Sequence, residues 1–317
     1  MERVLTLLGP QRLEPNLRTA FDRHAVGDRV AVISAGWQER EGELDELSEH
    51  LERSTTDLEL HRRLEEVFAE DRELFSLHRE RQDRLQEIQR LYRYRLDFVI
   101  EPARELLRRR GDSELLEAER VSAIAAVERL DREHLERIIQ VHREFEERVR
   151  PVDRPSIVRH RDALRSAIED CGAVAIAGGH VAVLLNRMRL FGVVDLFGDR
   201  PVFAWSAGAM ALSERIVLFH DSPPQGAGSA EVLDQGLGLA PSIVPLPHAG
   251  KRLRLDDPFR VALFARRFEP AVCALLEAGT TLEWREGRWQ SIGASRRLGF
   301  EGVVVEGVAV SADRGDA

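Results

Sequence analysis

The stretch Ala204-Trp205-Ser206-Ala207-Gly208-Ala209-Met210 carries the most chemistry in this chain. An apolar run, Pro201–Trp205, leads into a serine flanked by small residues, and a small-residue helix start follows at once. This is the form of a nucleophile elbow, a turn so tight that the residues two before and two after the serine must be small. Here they are Ala204 and Gly208, so the GxSxG pattern is met with one Gly-to-Ala change. Such a turn lifts the hydroxyl above the carboxyl edge of a sheet, beside backbone N–H groups that can hold an oxyanion. The same residues also suit a plainer role, a serine N-cap where a strand passes into a helix.

A serine hydroxyl is a weak nucleophile near neutral pH and needs a base. Of the ten histidines, His61, His78, His134 and His142 lie in a highly charged segment and read as part of a solvated helix face. His24, His50 and His160 sit in polar surroundings, which leaves His180, His220 and His248. His248 ends the apolar run Ser242–Pro247, and His220 ends Ile216–Phe219. Both runs should lead to the carboxyl edge, where open α/β sheets bind ligands. Residue chemistry alone does not choose between them.

Taken together, strand-Gly178-Gly179, Ser206-Ala207-Gly208-Ala209, Gly236-Leu237-Gly238-Leu239-Ala240-Pro241 and Pro247-His248 resemble the aspartyl dipeptidase and cyanophycinase family of serine peptidases. The resemblance covers about residues 1–50 and 155–280. It implies the class I glutamine amidotransferase-like fold, a flavodoxin-like parallel sheet. It also implies Ser206 as nucleophile, His248 as base, and an oxyanion hole built from the N–H of Ala207 and of Gly178 or Gly179. For the acidic member, the family's slot about fifteen positions after the serine is filled by Asp221, and a later one, before a glycine turn, by Glu277. A one-residue shift of register would put Ala278 in the later slot. Asp221 is favoured for a role in the site, with Glu277 the other candidate. Ala204, His180 and the charged helical segment depart from the family pattern. Its preference for aspartyl groups would call for a cation in the pocket, for which Arg187, Arg189, Arg252 and Arg254 are at hand.

Other chemistries find less support. Cys171 and Cys273 lie in or beside apolar strands and read as buried thiols; two cysteines make neither a disulfide framework nor a cysteine zinc cluster. No CxxC, HExxH, Walker or EF-hand motif occurs, and Gly226-Ala227-Gly228 lacks the third glycine of a dinucleotide fingerprint, so no cofactor or metal is expected. The turn-rich loop Ser222–Ser229 reads equally as a substrate lid or a surface loop. The leading reading is a serine hydrolase that cleaves a peptide or amide bond in a small substrate. The second is a non-catalytic binding or scaffold protein that uses its helical arm to meet a partner. A glutaminase, which in this fold carries cysteine at the elbow, is disfavoured by Ser206.

The elements that must position these residues follow from periodicity. Short apolar runs at Val4–Leu8, Arg29–Ser34, Ala173–Ala177 and Pro201–Trp205 alternate with helical stretches, as in a parallel sheet covered on both faces. From Val272 onward the pattern is short strands and turns. Residues 56–150 are different, with 20 Arg and 24 Asp or Glu and only Pro102 and Gly111 as breakers. They predict a long helical hairpin inserted into an α/β catalytic domain made of residues 1–55 plus 151–317. Its first helix, Asp57–Glu101, would span about 65 Å unbroken, with a kink or stop at Pro102. Gly111-Asp112-Ser113 should stop it and cap the next helix, which Pro151 ends. The apolar residues Leu85, Ile88, Leu91, Tyr92, Leu96, Phe98, Val99 and Ile100 would leave a large uncovered patch, hence the expectation of a homodimer held by residues 56–150. The net charge of −9 argues against a nucleic-acid or anionic-membrane partner. The run Val4–Leu8 is too short for a secretory signal and no stretch is long enough to span a membrane, so a cytoplasmic protein is expected.

Overall fold

Ala173–Ile176 and Val202–Trp205 are buried at every residue, as strands with both faces covered must be. The computed structural model describes residues 3–111, 113–221, 228–308 and 310–311. In chain order the elements are β1 (Leu5–Leu8), α1 (Leu17–Arg23), β2 (Arg29–Ile33), α2 (Asp45–Leu51) and β3 (Ser54–Asp57). Four helices follow: α3 (Leu60–Glu70), α4 (Arg72–Arg108), α5 (Glu114–Val149) and α6 (Pro155–Glu169). Next come β4 (Ala173–Ile176), α7 (Val181–Leu190), β5 (Val202–Trp205), α8 (Ala207–Leu212), β6 (Arg215–Leu218) and β7 (Glu231–Gln235). Then β8 (Ile243–Pro247), α9 (Ala249–Arg252), α10 (Pro258–Arg267) and β9 (Val272–Leu276). The chain ends in β10 (Thr281–Arg285), β11 (Arg288–Ser291), β12 (Arg296–Leu298), β13 (Val304–Glu306) and β14 (Val310–Ser311).

The main sheet has the order β14-β11-β10-β1-β5-β4-β2-β3, parallel from β1 to β3 and antiparallel from β1 outward to β14. Period-two alternation sorts its side chains into two layers. Ala173, Ala175, Phe203 and Trp205 face Leu17 and Phe21 of α1, while Val174, Ile176, Val202 and Ala204 face Leu164 and Ile168 of α6 and Leu184 of α7. A second sheet, β13-β12-β9-β8, holds the parallel pair β8–β9, and β6 pairs with β7. Ile243 of β8 and Ala274 and Leu276 of β9 share a core with Ala209, Ala211 and Leu212 of α8. The elbow helix is thus held against the strands that end at His248 and Glu277.

The charged segment corrects several expectations. The first long helix is interrupted at Asp71, whose Oδ1 caps α4 by accepting from Leu74 N at 2.9 Å while Arg154 and Ser156 hold its other oxygen. Helix α4 then continues through Pro102 to Arg108 without a stop. Pro102 is exposed, and so is Phe98, whose carbonyl loses its helical donor on a side open to water. Ser113 caps α5 by accepting from Leu116 N, as its sequence suggested; Asp112 lies outside the described residues. His78, His134 and His142 are buried, not on a solvated face. The apolar stripe also divides. Tyr92, Leu96 and Ile100 pack with Val232 of β7 and Phe264 of α10, so the segment folds back on the α/β core, while Leu91, Tyr94 and Phe98 stay exposed.

Candidate active site

Ser206 stands between β5 and α8 with φ 52° and ψ −120°, a left-handed conformation rare outside glycine. Strain of this kind persists only where the surroundings enforce it. Here they do. A Cβ on Gly178 would come within 2.9 Å of Ser206 Cβ, and one on Gly208 within 2.4 Å of the Ile176 carbonyl oxygen. The elbow therefore needs glycine on both sides of the contact, whereas Ala204, fully buried, fits at the other small position. The Ser206 side chain makes no capping hydrogen bond to α8, so the N-cap role does not account for it.

The loop after β4 supplies the donors. The N–H groups of Gly178, Gly179 and Ala207 take no acceptor among the described residues. Gly179, at φ 107°, lies so close to Gly36 that a Cβ would meet its carbonyl oxygen at 2.3 Å, and His180 N donates to that oxygen at 2.8 Å. His180 itself is spent as a cap: its Nδ1 accepts from Val183 N at 3.3 Å.

His248 follows β8 with φ 58° and ψ 33°. Because β8 and β9 pair in parallel with Pro247 opposite Leu276, the next residues along the two strands are His248 and Glu277. His248 N donates to the Leu276 carbonyl, and Glu277 Oε1 accepts from Gly250 N at 2.6 Å. Burial lowers the pKa of His248, and the positive charges of Arg252 and Lys251 lower it further, against an opposing pull from Glu277. The imidazole is therefore neutral at neutral pH, the form a general base requires. Among the described residues no hydrogen bond joins the His248 ring to Ser206 Oγ or to Glu277.

Asp221 is engaged elsewhere. Its Oδ2 accepts from Arg254 N at 2.7 Å, its Oδ1 takes Arg260 Nη2, and its own N–H donates to the Arg252 carbonyl at 2.8 Å. It clamps the segment that follows His248 to the start of α10. A cavity of about 40 Å³ beside it is lined by Arg104, Arg254, Arg260 and Arg267 and reaches neither Ser206 nor His248. His220 is exposed at the end of β6.

Of the candidate pocket arginines, Arg189 is held by Asp234 and Arg187 by Asn186, both among the helices. Arg252 is half-buried, lies 5.8 Å from the Phe219 ring centre and has no carboxylate partner among the described residues. Cys171 and Cys273 are buried, and burial pushes the Cys273 thiol up to about 12. Residues 222–227 of the proposed lid lie outside the described residues. Among the described residues no group of His, Cys, Asp or Glu is arranged to hold a metal ion, and no helix is long and apolar enough to cross a membrane.

One residue escaped the sequence reading. Gln38 has a backbone close to that of Ser206, φ 58° and ψ −119°, in the segment after β2 whose Gly36 packs on Gly179. It is half-buried, and its amide makes no hydrogen bond among the described residues. The only sequence signal for it was position, a loop at the carboxyl edge two strands from the elbow.

No family model matches the chain, and no curated protein matches it in sequence. Among solved structures it is similar to the crystal structure of a peptidase from an acI-B1 Actinobacterium, at 12% identity and a TM-score of 0.48, covering 99% of this chain and 96% of that one. It is also similar to a putative peptidase E protein from Listeria monocytogenes EGD-e, at 10% identity and a TM-score of 0.44, covering 92% of this chain and 98% of that one.

Proposed function

We propose that the protein is a serine hydrolase that cleaves a peptide or amide bond through an acyl-enzyme on Ser206. The observation that carries this reading is the strained Ser206 turn, uncommitted as a cap and packed on Gly178, with the N–H groups of Gly178, Gly179 and Ala207 unengaged among the described residues. In the proposed reaction His248 takes the hydroxyl proton as Ser206 Oγ attacks the carbonyl carbon. The N–H groups of Ala207 and of Gly178 or Gly179 receive the developing oxyanion. The leaving amine departs with the proton from His248, and water then releases the acyl group by the same steps. Glu277, beside His248 in register, is the acidic partner in this proposal, and Asp221 a positioning residue for the segment after His248.

The chain is further proposed to belong with the aspartyl dipeptidases and cyanophycinases in a flavodoxin-like fold. Support comes from the parallel order β3-β2-β4-β5-β1, which with the N-terminal strand counted last is the doubly wound order 2-1-3-4-5. A non-catalytic reading is favoured by the missing hydrogen bond between Ser206 and His248, although catalytic contacts are often long before substrate binds. A fluorophosphonate probe decides between them. Stoichiometric labelling that disappears in Ser206→Ala supports the hydrolase, and folded protein that never labels ends it.

The homodimer is proposed on a narrower surface than the sequence suggested, the exposed strip Leu91, Tyr94 and Phe98 of α4. Light scattering should give a dimer that becomes monomeric in Leu91→Glu/Phe98→Glu. A monomeric wild type at micromolar concentration removes the proposal.

A further inference from the structure

Where α4 and α5 lie side by side, Leu77, Arg81 and Arg84 face Val141, Phe145 and Arg148 across a groove of about 200 Å³. Seam positions between paired helices are ordinarily apolar. Arg81 occupies one of them and is only 4% exposed. Its guanidinium lies over the Phe145 ring at 4.2 Å, which fixes it in place without answering its hydrogen-bonding needs. Nε and Nη1 are shut off from solvent with no acceptor, and no carboxylate among the described residues forms an ion pair with the side chain. Burial and the nearby charge of Arg189 bring its pKa down to about 10, so it stays cationic at neutral pH.

The surrounding acids do not complete it. Asp234 is taken by His142 and Arg189. Glu144 is taken by Arg84 and by Gln140, which donates to it at 2.8 Å. Glu146 acts on Arg81 without an ion pair, and Glu80 shares the groove with Arg148. Among the described residues the other buried arginine, Arg267, is answered by Asp131 and Tyr92. Nη2 of Arg81 is the guanidinium nitrogen not shut off, so it is the one an anion in the groove would meet. A buried cation that pairs with no carboxylate of the groove wall is the feature such an anion would explain.

We propose that this groove binds a small oxyanion, a phosphate or carboxylate group, with Arg81 as its chief contact and Arg148 at the rim. The planar guanidinium matches either group, and the groove has room for a few heavy atoms besides. The site is separate from the Ser206 region and does not depend on the hydrolase reading.

The test is thermal unfolding of the full chain in inorganic phosphate or in succinate, each against chloride at equal ionic strength. A saturable rise in Tm of about 1–3 °C is expected with at least one of them. Phosphate alone identifies a phosphate group as the ligand, succinate alone a carboxylate, and neither overturns the proposal. The increment should vanish in Arg81→Met and shrink several-fold in Arg148→Gln; an increment kept in Arg81→Met also overturns it. Should Arg81→Met not fold, the Arg81 Nε–H resonance of the wild type, followed by NMR during the phosphate and succinate titrations, reads the same contact. A resonance that does not move with either anion overturns the proposal.

Discussion

Between α4, α5 and α10, Arg267 donates through Nε and Nη2 to both oxygens of Asp131, through Nη2 to the Tyr92 hydroxyl, and through Nη1 to the Ala230 carbonyl. Tyr92 in turn donates to Asp131, accepts from Val232 N and stacks on the His134 ring, whose Nε2 meets Gln89 and the Val232 carbonyl. At the carboxyl edge the situation is reversed. Ser206 Oγ, the His248 ring and the N–H groups of Gly178, Gly179 and Ala207 are all unengaged among the described residues. One region uses its polar groups to fix helices against the core, with only His134 Nδ1 of that network lacking a partner among the described residues; the other leaves them idle. A buried polar group without a partner carries a cost that a satisfied network avoids. Ser206 and His248 stay partly exposed, so groups left idle after β4, β5 and β8 can meet a ligand, while paired buried groups point to architecture.

The sharpest way to break this contrast is to remove one member from each region. His248→Ala should lower fluorophosphonate labelling by ~10⁴-fold while changing unfolding free energy by no more than about 1 kcal/mol, since His248 is half-buried and unpaired. Arg267→Ala should do the opposite. It leaves Asp131 buried without its cation and should destabilise the protein by about 3–5 kcal/mol, measured by denaturant unfolding. Labelling per folded molecule should stay within a few-fold of wild type. If His248→Ala collapses stability, or Arg267→Ala abolishes labelling in folded protein, the two regions are not separate in role.

The same contrast explains what could be read in advance. The strands β1, β2, β4 and β5 and the elbow were legible because continuous apolar runs and small residues at fixed spacing state a local requirement. The buried histidines were not. His78, Gln89, His134 and His142 fill core-facing positions of helices in which charge is dense, and their hydrogen-bond partners come from afar. Asn186 of α7 meets His78, the Val232 carbonyl of β7 meets His134, and Asp234 of β7 meets His142. Strand β7, Glu-Val-Leu-Asp-Gln, hides for the same reason, since its acids face the hairpin's bases and so look like loop residues. The choice between Asp221 and Glu277 was equally non-local. The proposal of Glu277 rests on the β8–β9 register, which no single segment discloses.

The smallest expected effect bears on the charges around His248. As the proposed base it must be neutral, so activity should fall as pH drops through its pKa. That pKa lies below the ordinary histidine value because burial, Arg252 and Lys251 all disfavour the imidazolium. The acid limb of probe labelling should therefore sit below pH ~6.5. Removing a neighbouring positive charge makes protonation easier, so Arg252→Met should move the limb to higher pH. Removing the negative charge of Glu277 should move it lower in Glu277→Gln. Each shift should be roughly half a pH unit, the scale of a charge pair screened nearly as in water. The two variants thus shift the limb in opposite directions, which a general loss of folding would not do. A limb that stays fixed in both would assign the titration to some group other than His248.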